Sequence, residues 1–97
     1  MHRFYHWRVR IQDAHGERAI AQVIAEYLSM LSPAMIASLP GPCQDALRNR
    51  DLAQAAITLL KCEVEFNGPP DVAALLHEIA HTYAAAAVKI AGLKGGR

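Results

Sequence analysis

Apolar residues recur at two different spacings along this chain. From Phe4 to Gln12 they alternate with polar residues, which is the period of a β-strand with one buried face. From Glu17 onward they recur three and four residues apart, which is the period of an amphipathic helix. The pattern therefore predicts a mainly α fold in which an N-terminal strand, residues 1–12, precedes about four helices.

Residues that start or stop helices divide the rest of the chain. Ser32 before Pro33 and Asp51 before Leu52 are typical N-caps, and Asp71 can cap the last helix. Loops are predicted at 40–42 and 67–70, where proline and glycine cluster, and Gly92 can end the last helix. The predicted helices are 17–31, 33–39, 51–60 or longer, and 71–91, followed by a flexible tail at 94–97.

Residues 61–66 fit two structures. A helix that continues through them places Glu63 near the middle of an apolar stripe, whereas Cys62, Val64 and Phe66 alternate with polar residues as in a strand. The alternative fold is therefore α+β, with a two-stranded ribbon of 4–12 and 61–66 in which Arg8 and Arg10 face glutamates. We prefer a helix that frays or straightens after Leu60.

Size and composition restrict the class of protein. The chain has 97 residues, 53% of them hydrophobic, and a formal net charge of +1, which predicts one domain, 1–97, without a strong electrostatic field. The longest apolar run, 84–88, is far shorter than the roughly 20 residues of a membrane span. We therefore expect no membrane partner. Two cysteines are too few for a disulfide framework, so we expect the protein to be cytoplasmic.

One short motif suggests metal chemistry. His77 and His81 lie four residues apart with Glu78 between them, in the segment LLHEIAHTY. On a helix this spacing places both imidazoles on one face, where they can bind zinc while the glutamate acts as general base. The segment resembles the helix of the zincin metallopeptidases, a resemblance that covers five residues. It implies His77 and His81 as metal ligands and Glu78 as the catalytic base.

A catalytic zinc site needs a third protein ligand. Residues 82–97 contain no His, Asp, Glu or Cys, so this ligand would have to come from upstream. The upstream candidates are Cys43, Cys62, Glu63, Glu65, Asp71, His2, His6 and His15. We expect that none of them converges on the two histidines, which would then lie exposed or at a subunit contact.

The N-terminal segment suggests binding instead of catalysis. Tyr5 and Trp7 on one side of a lone strand predict an anchor in the core or an interface, and Arg8 and Arg10 lie on the other side. A short basic strand at the start of a chain resembles the ribbon-helix-helix repressors, which implies a dimer that contacts DNA through this strand. The small net charge and Pro40-Gly41-Pro42 depart from that family, so nucleic acid is not the expected partner.

These observations lead to three hypotheses for function. The first is a small cytoplasmic helical domain for protein interaction or regulation, homo-oligomeric and without a cofactor. The second is a zinc-dependent hydrolase that uses His77, Glu78 and His81. The third is a DNA-binding dimer.

Overall fold

A computed structural model describes the backbone of residues 3–95 and the side chains of residues 6–94. Within this part of the chain there are six helices and no strand. The helices are α1 (Arg3–Asp13), α2 (Glu17–Ser29), α3 (Pro33–Ala37), α4 (Gly41–Leu47), α5 (Leu52–Glu65) and α6 (Pro70–Gly95). The prediction of a mainly α fold is confirmed.

The predicted N-terminal strand is wrong for the described residues, because 3–13 form helix α1. The apolar residues here fit both a strand period and a helix period. Trp7 and Ile11 lie one turn apart on α1 and are buried in the core, as is Ala14 just after the helix. With no second strand among residues 3–95, a lone strand would leave its backbone N–H and C=O groups unpaired. A helix pairs these groups within the segment itself.

Helix α4 was not predicted. Pro40 is its N-cap residue and a proline occupies its first turn, where the missing N–H removes no intrahelical hydrogen bond. Cys43, Ala46 and Leu47 then bury one side of this short helix. The predicted caps elsewhere are confirmed, since Ser32 accepts a hydrogen bond from the backbone N–H of Met35 at 3.1 Å. Asp51 likewise accepts one from the backbone N–H of Gln54 at 3.2 Å.

The two-stranded ribbon is also wrong, because α5 continues to Glu65 and Phe66 is its C-cap residue. The polar position that made this segment ambiguous is Glu63. Its carboxylate is paired with two imidazoles of α6, so a helix can place it next to an apolar stripe without leaving it unpaired.

Helix α6 begins one residue earlier than predicted and continues past Gly92 to Gly95. Gly92 is exposed with nothing close to it, and glycine inside a helix costs only about 1 kcal/mol relative to alanine. Lys94, predicted to belong to a flexible tail, is helical and lies 3.8 Å from the Glu17 carboxylate. Residues 96 and 97 of that tail lie outside the described part.

Helix α6 lies at the centre of the fold, and α1, α2 and α5 all pack against it. The face of α6 that packs on these helices is apolar, with Leu76, Ile79, Tyr83 and Ala86 almost fully covered. Among residues 3–95 no helix combines the length and apolarity that crossing a membrane requires. The arrangement leaves the opposite side of α6, which carries both histidines of the motif, partly exposed.

Candidate metal centre

Helices α5 and α6 form the candidate metal centre. They are joined by residues 66–69 and pack against each other, so the last turn of α5 lies beside the first half of α6. His77 and His81 are one turn apart on α6, with ring centroids separated by 4.2 Å. Glu63 projects from α5 toward both rings.

The Glu63 carboxylate bridges the two imidazoles. Its Oε2 forms a short hydrogen bond with Nδ1 of His77, and its Oε1 lies 2.9 Å from Nε2 of His81. The three ligand atoms lie within 4.8 Å of one another. The expectation that no residue of the same chain converges on the histidines is therefore wrong, and Glu63 is the upstream residue that does.

Partial burial makes this an electrostatically coupled cluster. The side chains of His77, His81 and Glu63 are 57%, 40% and 24% exposed, respectively. Burial alone would raise the pKa of the Glu63 carboxyl, but the hydrogen bonds and positive charge of the two imidazoles outweigh it and lower that pKa below its usual value. The carboxylate is therefore ionised, as a metal ligand must be.

Glu78 is not part of this cluster. Its carboxylate accepts a hydrogen bond of 2.9 Å from the hydroxyl of Tyr27, a fully buried residue of α2. Burial, together with the nearby Glu78 charge, raises the pKa of the Tyr27 phenol far above its ordinary value, so the phenol is the donor in this pair. The structure thus gives the central glutamate of the motif a partner between α2 and α6.

The residues predicted for interaction are separated in the structure. Trp7 is buried and packs edge-on against Tyr27, with ring centroids 5.4 Å apart. The Arg10 guanidinium lies 5.2 Å from the centre of the Trp7 ring and forms a 2.5 Å ion pair with Glu26. Arg8 lines a groove beside α6, and the side chain of Tyr5 lies outside the described part.

The DNA-binding hypothesis requires a basic strand, and the residues that would form it are helical in α1. With Arg10 paired to Glu26, that hypothesis has no geometric support in residues 3–95.

Sequence reasoning left Glu63 as one of eight upstream candidates. A signal for it was present, since a glutamate near the middle of the apolar stripe of α5 needs a partner on the helix that packs there. Identifying the partner required the orientation of α5 on α6, which the sequence pattern does not provide.

Comparison of the chain with models of known families finds no match, and no curated protein or solved structure is significantly similar to it. Any functional conclusion therefore depends on the geometry of the site.

Proposed function

We propose that this protein is a small helical metal-binding domain in which Glu63, His77 and His81 bind one divalent transition-metal ion, zinc in the first instance. The observation that supports this proposal is the convergence of two imidazole nitrogens and one carboxylate within 4.8 Å on two packed helices.

The donor set suits zinc. Two histidines and a glutamate form a common ligand set of catalytic zinc sites, which keep a fourth position for water or a ligand. Zinc–ligand bonds of about 2.0–2.2 Å in tetrahedral geometry place the donor atoms about 3.3 Å apart. The donor atoms lie within 4.8 Å of one another, and Oε1 of Glu63 is 2.9 Å from Nε2 of His81, so the cluster is of the size that a zinc ion requires. Two histidines and one carboxylate also suit ferrous iron, so both metals belong in the test.

Protons and metal would compete for the same nitrogens. Nδ1 of His77 and Nε2 of His81 both face Glu63, and these are the atoms that would coordinate the ion. A metal would thus replace the protons that these nitrogens share with the carboxylate, and its binding would release protons. A bound zinc ion would supply Lewis acidity and would lower the pKa of a bound water.

Titration calorimetry on chelator-treated protein tests the proposal. We expect one zinc per chain, and a loss of more than about a hundredfold in affinity for His77→Ala, His81→Ala or Glu63→Ala, because removal of even an outer-shell partner typically costs 10- to 100-fold. His15→Ala and Glu65→Ala are matched controls, since both residues are exposed and outside the cluster. Absence of zinc and iron binding at micromolar concentration, or equal losses in the controls, would contradict the proposal.

Our second candidate function is homo-oligomerisation. We also propose a cytoplasmic location, in which both cysteines stay reduced. It is supported by exposed apolar side chains, above all Val64 at 85% and Ile57 at 59%, which lie seven residues apart on one side of α5. Sedimentation at high micromolar concentration should detect a dimer, and Ile57→Asp with Val64→Asp should dissociate it. A monomeric wild-type protein would exclude this candidate.

A further inference from the structure

A groove of about 570 Å³ lies between α1 and α6, on the side of α6 that carries the candidate metal ligands. We call it the α1/α6 groove. His77 and His81 line one part of it, and Ala84, Ala85 and Val88 follow along α6. A molecule bound in this groove would thus contact both imidazoles and an apolar surface.

Helix α1 runs in the same direction as α6. Trp7, near the start of α1, packs on Tyr27, whose hydroxyl reaches Glu78 in the first half of α6. Lys89, in the second half of α6, donates hydrogen bonds to the last carbonyl groups of α1. Arg8 therefore lies toward the histidine end of the groove.

The charge of the groove favours an anion. Arg8 and Lys89 both line it, and no aspartate or glutamate of residues 6–94 does. The Glu63 carboxylate lies next to the histidine end, where it is already bound to both imidazoles. A guanidinium is always charged in proteins, so Arg8 contributes a positive potential whatever its other contacts. A metal ion on the two histidines would add to this potential at the same end.

The remainder of the groove favours an apolar chain. Val88 is 73% exposed although it is aliphatic, and Ala84 and Ala85 line the groove between it and His81. The helix rises by about 10 Å from His81 to Val88. A medium-length alkyl chain would cover this surface and remove it from water.

We propose that the α1/α6 groove binds an aliphatic monocarboxylate of medium chain length, with its carboxylate at the histidine end and its alkyl chain over Ala84, Ala85 and Val88. The contact of the carboxylate with a metal rests on the proposed function, whereas the contacts with Arg8 and the apolar surface do not.

Titration calorimetry with acetate, butyrate, hexanoate and octanoate, on zinc-loaded and chelator-treated protein, tests this inference. We expect each added methylene group to increase the affinity about twofold. Complete burial of a methylene group would increase it roughly fourfold, but the groove is open on one side, so burial is incomplete. Zinc should strengthen carboxylate binding further.

Two variants test the contacts of the carboxylate and of the alkyl chain separately. Arg8→Glu should weaken octanoate at least tenfold and leave octanol unchanged, because only the carboxylate responds to the charge. Val88→Asp should weaken octanoate more than acetate. Leu93→Asp is the control, since it places the same charge at an exposed aliphatic position of α6 outside the groove.

The outcomes distinguish this inference from the proposed function. If zinc binds but octanoate binds no better than acetate, or Val88→Asp and Leu93→Asp behave alike, the inference is overturned and the metal site stands. If zinc does not bind, the proposed function fails. Octanoate binding to that metal-free protein with the same variant losses would then support the groove, and its absence would overturn it.

Discussion

The hydroxyl of Tyr27 donates a hydrogen bond of 2.9 Å to the carboxylate of Glu78, and this bond connects α2 with α6. Glu78 therefore has different contacts from the two histidines of the same motif. Glu78 is directed to a buried tyrosine, while His77 and His81 are directed to Glu63. The zincin-like motif thus provides its two histidines to the candidate metal centre, and its glutamate has a partner of its own.

We expect Tyr27→Phe to lower the free energy of unfolding by about 1–2 kcal/mol, because the partly buried Glu78 loses its donor. Glu78→Gln should cost less, since the amide oxygen can still accept the hydrogen bond. Urea unfolding measures both changes, and zinc affinity should be unchanged in both variants. A loss of zinc binding in Glu78→Gln would contradict the assignment of Glu78 to the α2/α6 contact. The hydrolase hypothesis makes a separate prediction for the same variant, which is retained zinc with abolished hydrolysis.

Zinc should stabilise the folded protein if the candidate metal centre binds it. At a free concentration of 100 times Kd, the free energy of unfolding should rise by about 2.7 kcal/mol, and a chelator should reverse the rise. Thermal unfolding with and without zinc measures this effect. His81→Ala should remove the stabilisation and His15→Ala should keep it, whereas equal stabilisation of both variants would place the metal elsewhere.

Lys89 should contribute to stability through the end of α1. Its ammonium donates hydrogen bonds to the carbonyl groups of Ile11 and Gln12 in the last turn of α1, where carbonyl groups lack the N–H partner of a continuing helix. The Ile11 carbonyl also accepts a 3.2 Å hydrogen bond from the backbone N–H of Ala14. We expect Lys89→Met to lower the free energy of unfolding by about 1–2 kcal/mol and to speed amide hydrogen exchange in α1. The matched control is Lys94→Met. Lys94 is 68% exposed and 3.8 Å from Glu17, a surface pair expected to contribute less than about 1 kcal/mol. Equal effects of the two substitutions would contradict this role.

Alkaline pH should destabilise the protein through three groups that are buried in their neutral form. Burial raises the pKa of the Cys43 thiol to about 12 and raises the pKa values of the Tyr27 and Tyr83 phenols above their ordinary range. A pKa that is higher in the folded state means that the unfolded chain loses its proton first. The resulting stabilisation is complete below the ordinary value, about 8.5 for a thiol and about 10 for a phenol, and is lost as pH rises above it.

Urea unfolding from pH 8 to 12 measures this loss. Cys43→Ala should reduce the slope of stability against pH from about pH 9 upward, independently of its effect at neutral pH. A slope identical to that of the wild type would show that the thiol does not ionise in this range or ionises equally in both states.

Local pattern identified much of the fold. The helical period of α2 and α6 and the capping residues Ser32 and Asp51 were predicted, because each depends on residues within about one turn of one another. The i, i+4 spacing likewise placed His77 and His81 on one face before any partner was known.

Tertiary structure decided the features that depend on a second element. Residues 4–12 and 61–65 carry patterns that fit a strand or a helix, and the absence of a pairing strand among residues 3–95 makes both helical. The pairing of Glu63 with His77 and His81 joins residues fourteen and eighteen positions apart. Only the packing of α5 on α6 brings them together, because a side-chain period defines a face of each helix but not which faces meet.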